Sequence, residues 1–161
     1  MGRHDRPEHL FVPFLIFIDF DGVVVDYDLG AKQHNKENKP WEAKNIPGFF
    51  LNLKPLGNSI EYVLKLEKEF PGQVRFLTSA SYSRPESWTE KVIWYNKHFP
   101  TLHKRLIITS DKGACGSYND ILIDDHPDWN GADRFKGRIF HFKSPKDWEK
   151  VISFCKENKY V

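Results

Sequence analysis

The sequence predicts an α/β domain on a mainly parallel sheet, and three observations carry that expectation. Short runs rich in β-branched, aromatic and other apolar residues recur at 11–19, 72–78, 105–109, 120–124 and 138–142. Segments with helical periodicity lie between them. The first run, "FVPFLIFID", is apolar on both alternating faces, as a strand covered on both sides must be. Strands alternating with helices imply parallel pairing through crossovers.

Each element follows from its own residues. Residues 1–9, "MGRHDRPEH", are polar and read as a flexible arm, with His4 and His9 as solvated residues rather than metal ligands. After the first strand, residues 28–48 are polar, hold two prolines and show no clear period, which reads as an irregular insertion or small lid. A helix is expected over 58–70, with Ile60, Val63, Leu64 and Glu67 at helical spacing, an Asn58–Glu61 capping box and Pro71-Gly72 as the stop. In 85–99, Pro85 suits the first turn, and Trp88, Val92, Tyr95 and Phe99 form one stripe. The stretch 112–119 is a weak helix at best. In 145–157, Ser144 caps, Pro145 opens the first turn, and Trp148, Val151, Ile152 and Cys155 line one face. A length of 161 residues fits one domain spanning the chain and can bury a real core.

Composition narrows the function. Lys plus Arg is 24 against 22 for Asp plus Glu, so the net charge of +2 calls for neither nucleic acid nor anionic membrane. The longest apolar run, Leu10 to Ile18, contains Pro13 and is too short to span a bilayer. Cys115 and Cys155 lack Cys-x-x-Cys spacing and read as reduced thiols of an intracellular, cytoplasmic protein.

The polar residues are sorted. The first strand ends in Asp19, followed by Phe20-Asp21-Gly22; the second in Thr78-Ser79; the third in Thr109-Ser110-Asp111-Lys112; the fourth in Asp124-Asp125. Ligands of open parallel sheets bind beyond the carboxyl ends of the strands, so these groups share one rim. Asp and Ser also follow strands because they suit turns, but four strands sorted in this way point to a common site. Asp19, Asp21, Asp124 and Asp125 would repel one another, and Mg²⁺ with oxygen ligands resolves that repulsion. Lys112 and the hydroxyls of Thr78 and Ser79 are donors for an anionic group such as phosphate. A carboxylate beside both can attack phosphorus, and a second carboxylate two residues on can protonate the leaving oxygen and then activate water. Gly22 permits the sharp turn that follows.

These stretches resemble a known family. "DFDGV" (19–23), "FLTSAS" (76–81), "SDKG" (110–113) and "ILIDDHPD" (121–128) are similar, in order, to the four motifs of haloacid-dehalogenase-like (HAD) phosphohydrolases. "FFLNLKPLGNSIEYV", with "DFDGVVVDY", "LTSA", "SDK" and "LIDDHPD", is similar to the 5′(3′)-deoxyribonucleotidase branch, in register over roughly residues 12–142 and interrupted at the insertion. The resemblance implies a Rossmann-like three-layer domain with a five-stranded sheet of order 5-4-1-2-3 and a minimal cap. It implies Asp19 as the phosphoryl-accepting nucleophile and Asp21 as general acid/base, with the Asp21 backbone carbonyl on Mg²⁺. It further implies Thr78 and Ser79 on the phosphate, Lys112 as its counter-charge, Asp125 as the carboxylate nearest Mg²⁺ and Asp124 as its supporting partner. Tyr27 falls where the family has an aromatic against the nucleobase. The second motif aspartate, absent from the dehalogenases of the superfamily, favours phosphate-ester hydrolysis.

The expected substrate is therefore a small phosphomonoester, a (deoxy)nucleoside monophosphate. Only residues 28–48 stand where the family has a longer helical lid, which leaves room for phosphorylated nucleic-acid ends or another phosphometabolite. A third reading, a domain that binds a phospho-ligand without turnover, would be marked by loss of a motif aspartate or the lysine, and all are present. Nothing in the sequence marks an oligomeric interface. Asp128 reads equally as a water-mediated support of the metal and as a loop cap. His126 reads as a rim residue rather than a group near the leaving atom. Arg84 reads as a surface arginine or a substrate contact, "GACGS" (113–117) as a tight turn, and the basic run 31–39 as a solvated loop. Phe49, Phe50 and Trp41 are candidate apolar contacts.

Overall fold

The computed structural model describes residues 13–158; the expected arm at 1–9 lies outside them. Five strands, β1 (Ile16–Ile18), β2 (Val74–Thr78), β3 (Leu106–Ile108), β4 (Ile121–Asp124) and β5 (Arg138–His141), form one sheet of order β3-β2-β1-β4-β5. Every pairing is parallel, with Ile16 opposite Val74 on one side and Ile121 on the other. The order expected from the resemblance is this one read from the opposite edge.

β1 is shorter than its apolar run. Pro13 has no N–H, and the Leu15 N–H donates to the Asp120 carboxylate (2.7 Å) instead of to a neighbouring strand.

Alternation along the strands sends side chains to two faces. Ile16, Ile18, Val74, Phe76, Ile121 and Ile123 join one core with residues of helices α2 (Ser59–Glu69), α3 (Glu86–His98) and α4 (Trp148–Asn158). Phe17, Leu77 and Leu122 join a smaller core on the other face with Ala132 and Phe135. That second outer layer is thin. It contains the 3-10 turns Lys112–Ala114 and Ala132–Arg134, the first standing where 112–119 offered only a weak helix.

Residues 28–48 are more ordered than their polarity suggests. Helix α1 (Tyr27–Gln33) is capped by Asp26, whose carboxylate accepts from Leu29 N–H (3.0 Å), and a 3-10 helix covers Pro40–Asn45. The buried residues of α1 are Gly30 and Ala31, so no large apolar residue betrays its period. A Cβ at Gly30 would collide with Leu53.

Two further expectations need correction. Asn58 makes no side-chain cap; the neighbouring Ser59 hydroxyl donates to the Val24 carbonyl (2.7 Å) and ties the start of α2 to the loop after β1. The buried face of α3 is Ser87, Glu90, Lys91, Trp94 and Tyr95, while Val92 is 42% exposed. Two charged residues occupy that face because they have buried partners, described below. Before α4, Ser144 does cap, accepting from Lys146 N–H (3.3 Å) into a 3-10 turn that leads into the helix.

Candidate active site

The carboxyl ends of β1, β2 and β4, with the loop after β3, open into a cavity of about 670 Å³ that the cap borders. Asp19 follows β1 directly and is buried. Its Oδ1 accepts from Phe20 N–H (2.8 Å) and lies 3.1 Å from Lys112 Nζ. Both contacts hold the same oxygen in place. The chain then turns at Gly22, whose φ of 81° favours glycine. A Cβ there would also run into the Asp125 carboxylate, so close approach demands glycine a second time.

Lys112 is almost fully buried, with its Nζ 2.6 Å from Asp124 Oδ2. Burial pulls its pKa down, but Asp19 and Asp124 more than offset this and hold the ammonium charged. The other Asp124 oxygen accepts from His126 N–H (2.8 Å). Asp124 thus accepts a hydrogen bond on each of its oxygens. Burial, then repulsion from Asp19, pushes both Asp124 and Asp125 above the usual carboxylate range.

Asp19, Asp124 and Asp125 offer carboxylate oxygens that all lie within 4.8 Å of one another. Such a set fits a divalent cation by chemistry as well as by distance, being hard oxygen donors with mutual repulsion to relieve. Asp21 is not in this set through its side chain. Its Oδ2 accepts from Lys91 Nζ (3.0 Å), and its Oδ1 is buried without a partner among the described residues. Burial raises the Asp21 pKa, with Lys91 opposing. Four carboxylates gather around two ammonium groups, and this surplus of acidic groups is part of what raises Asp124 and Asp125.

Lys91 contacts two of the candidate site residues and was not among those the sequence pointed to. It is 1% exposed and also donates to Thr78 Oγ1 (2.8 Å), joining the ends of β1 and β2 through α3. Its signal was present: it lies three residues after Trp88 and four before Tyr95, inside a buried stripe where an unpaired lysine would be costly.

Thr78 and Ser79 both border the cavity, but the Ser79 hydroxyl donates to the Thr109 carbonyl (2.7 Å), so its proton is held by the protein. Tyr27 also borders it. Its hydroxyl donates to the Pro40 carbonyl (2.7 Å), and its ring packs edge-on against Phe49. Phe50 and Trp41 border the cavity, and Trp41 is 61% exposed. His126 lies exposed on the rim, its Nε2 3.5 Å from Asp125 Oδ2. Asp128 is exposed and does not border the cavity.

Arg84 corrects both readings offered for it. It is buried, pairs with Glu90 and donates through Nε to the Lys44 carbonyl of the cap (3.0 Å). It braces the cap against α3 and does not border the cavity.

A β3-β2-β1-β4-β5 sheet carrying a D-x-D-G loop, a strand-end threonine, a buried lysine and an aspartate pair defines the HAD-like class of phosphohydrolases. Residues 31–153 match the family described as "5' nucleotidase, deoxy (Pyrimidine), cytosolic type C protein", and the chain belongs to that family. A Vibrio phage KVP40 protein, provisionally named a 5′(3′)-deoxyribonucleotidase, is 31% identical over 90% of this chain and 86% of its own length. The human mitochondrial 5′(3′)-deoxyribonucleotidase is 31% identical over 92% of this chain, which spans 60% of that protein. The human cytosolic type is 24% identical, covering 91% of this chain and 82% of that protein. No helix among the described residues is long and apolar enough to cross a membrane.

Proposed function

We propose that this chain is a Mg²⁺-dependent 5′(3′)-nucleotidase that hydrolyses (deoxy)nucleoside monophosphates through an aspartyl-phosphate on Asp19. The observation that carries the reading is the setting of Asp19: a buried carboxylate, oriented by Phe20 N–H and Lys112, inside a cluster of oxygen donors. The relatives' names support the substrate class.

Mg²⁺ would be held by Asp19, Asp125 and the Asp21 backbone carbonyl, with Asp124 beside them, and supplies charge neutralisation between carboxylates and phosphate. Lys112 and the Thr78 hydroxyl hold the phosphoryl oxygens. An Asp19 carboxylate oxygen attacks phosphorus, forming an O–P bond as the ester P–O bond to the nucleoside breaks. The Asp21 carboxyl proton passes to the departing nucleoside oxygen. Water then attacks the acyl-phosphate and gives its proton to Asp21, which releases inorganic phosphate and restores Asp19. Tyr27, Phe50 and Trp41 form the cap-side surface for the nucleobase. The unpaired thiols of Cys115 and Cys155 support an intracellular setting. We read the chain as one phosphatase domain with residues 28–48 as its cap.

Phosphate release tests this reading, measured with Mg²⁺ or EDTA on 5′- and 3′-ribo- and deoxyribonucleotides and on sugar phosphates. The expected result is Mg²⁺-dependent release from mononucleotides that Asp19→Asn abolishes. Release from sugar phosphates alone would overturn the substrate, and release from nothing would overturn the reaction.

A further inference from the structure

The cavity has two aromatic walls, and a mononucleotide carries one base. The cap wall presents Tyr27 and Trp41. The other wall, from the loops after β4 and β5, presents Trp129, 56% exposed, and Lys143. Trp129 is held in place. The His126 ring lies parallel to it at 3.6 Å between centroids and 9° between planes. The Trp129 N–H donates to the His126 carbonyl (3.0 Å), and the His126 N–H to Asp124 (2.8 Å), so the stack is anchored to the floor of the site. One face of the indole is covered by imidazole; the exposure is on the rest. Lys143 is exposed and makes no ion pair among the described residues. An oriented, half-exposed indole and an unpaired ammonium lining one cavity are the pair of groups that stacks a base and holds a backbone phosphate in single-stranded nucleic-acid sites.

Resting on the phosphatase reading, we propose that this second wall is a subsite for the next nucleotide of a phosphorylated strand end. Trp129, backed by His126, stacks the second base, and Lys143 faces the phosphodiester that joins it to the first. The substrate range then extends from mononucleotides to short end-phosphorylated single strands.

The test is tryptophan-fluorescence titration of Asp19→Asn with a 5′-phosphorylated mononucleotide and the matching 5′-phosphorylated dinucleotide. Stacking free energies of a base on an aromatic ring translate to about tenfold in affinity. The dinucleotide is expected to bind about tenfold more tightly. Adding Trp129→Ala should bring the ratio of the two affinities close to one, Trp129→Phe should keep most of it, and Lys143→Ala should reduce it most at low salt. Equal affinities for the two ligands in Asp19→Asn would overturn the subsite. So would a Trp129→Ala effect of the same size on both, which would give Trp129 to the first base. The titration reads the subsite without turnover; failure of the wild-type protein to release phosphate from either ligand would strike the phosphatase reading instead.

Discussion

Lys91 shows how one residue sets the working state of another. Its ammonium sits between Asp21 and Thr78 and opposes the rise in Asp21 pKa that burial imposes. Replacing it with Met keeps the volume and removes the charge. The Asp21 pKa then moves further up, so the limb of the rate profile where Asp21, the proposed general acid, loses its proton shifts to higher pH. kcat should fall about 10²-fold as the carboxyl loses its fixed position. A pH–rate profile of Lys91→Met checks both, and an unmoved basic limb would exclude the coupling. Gly22 is the second such residue. Gly22→Ala meets a left-handed backbone penalty of about 1–2 kcal/mol and pushes on Asp125. Mg²⁺ affinity, read by calorimetry, should fall at least about tenfold. The motif residues were legible because each ends or closely follows an apolar strand; Lys91 was not, because a helix stripe is read for its apolar members.

At the scale of elements, the cap is held by a buried ion pair. Arg84 links Glu90 of α3 to the Lys44 carbonyl, and Ser83 donates to the Asn45 side chain (3.1 Å). Arg84→Ala would leave the Glu90 carboxylate buried and unpaired, at a cost of about 3–5 kcal/mol. Thermal unfolding should show it as a drop of roughly 6–20 °C. The double variant Arg84→Met, Glu90→Leu should recover most of that loss, because no charge is then stranded; no recovery would mean that the pair itself is not the cause. Strand and core-helix positions were largely legible from alternation and punctuation. The cap helix was not, since its buried side is Gly30 and Ala31, and neither was the true face of α3, whose buried charges answer to groups distant in sequence.

At the scale of the whole molecule, a parallel sheet gathers groups from four separate stretches onto one rim, and the price is concentrated negative charge. A cation that binds the folded state alone must stabilise it. At a hundredfold excess over its Kd, Mg²⁺ should contribute about 2.7 kcal/mol. Differential scanning fluorimetry should register a rise of roughly 5–11 °C that EDTA reverses. Asp125→Asn should lose most of the rise; a full rise in that variant would place the ion elsewhere.

The central claim is that Asp19 carries the phosphoryl group during turnover. Acid quench of the protein turning over a mononucleotide, followed by peptide mass spectrometry, tests it most directly. The expected result is a hydroxylamine-labile phosphoryl group on the peptide containing Asp19, absent from Asp19→Asn. Sustained turnover with that peptide unmodified, or a phosphoryl group trapped on another residue, would contradict the account.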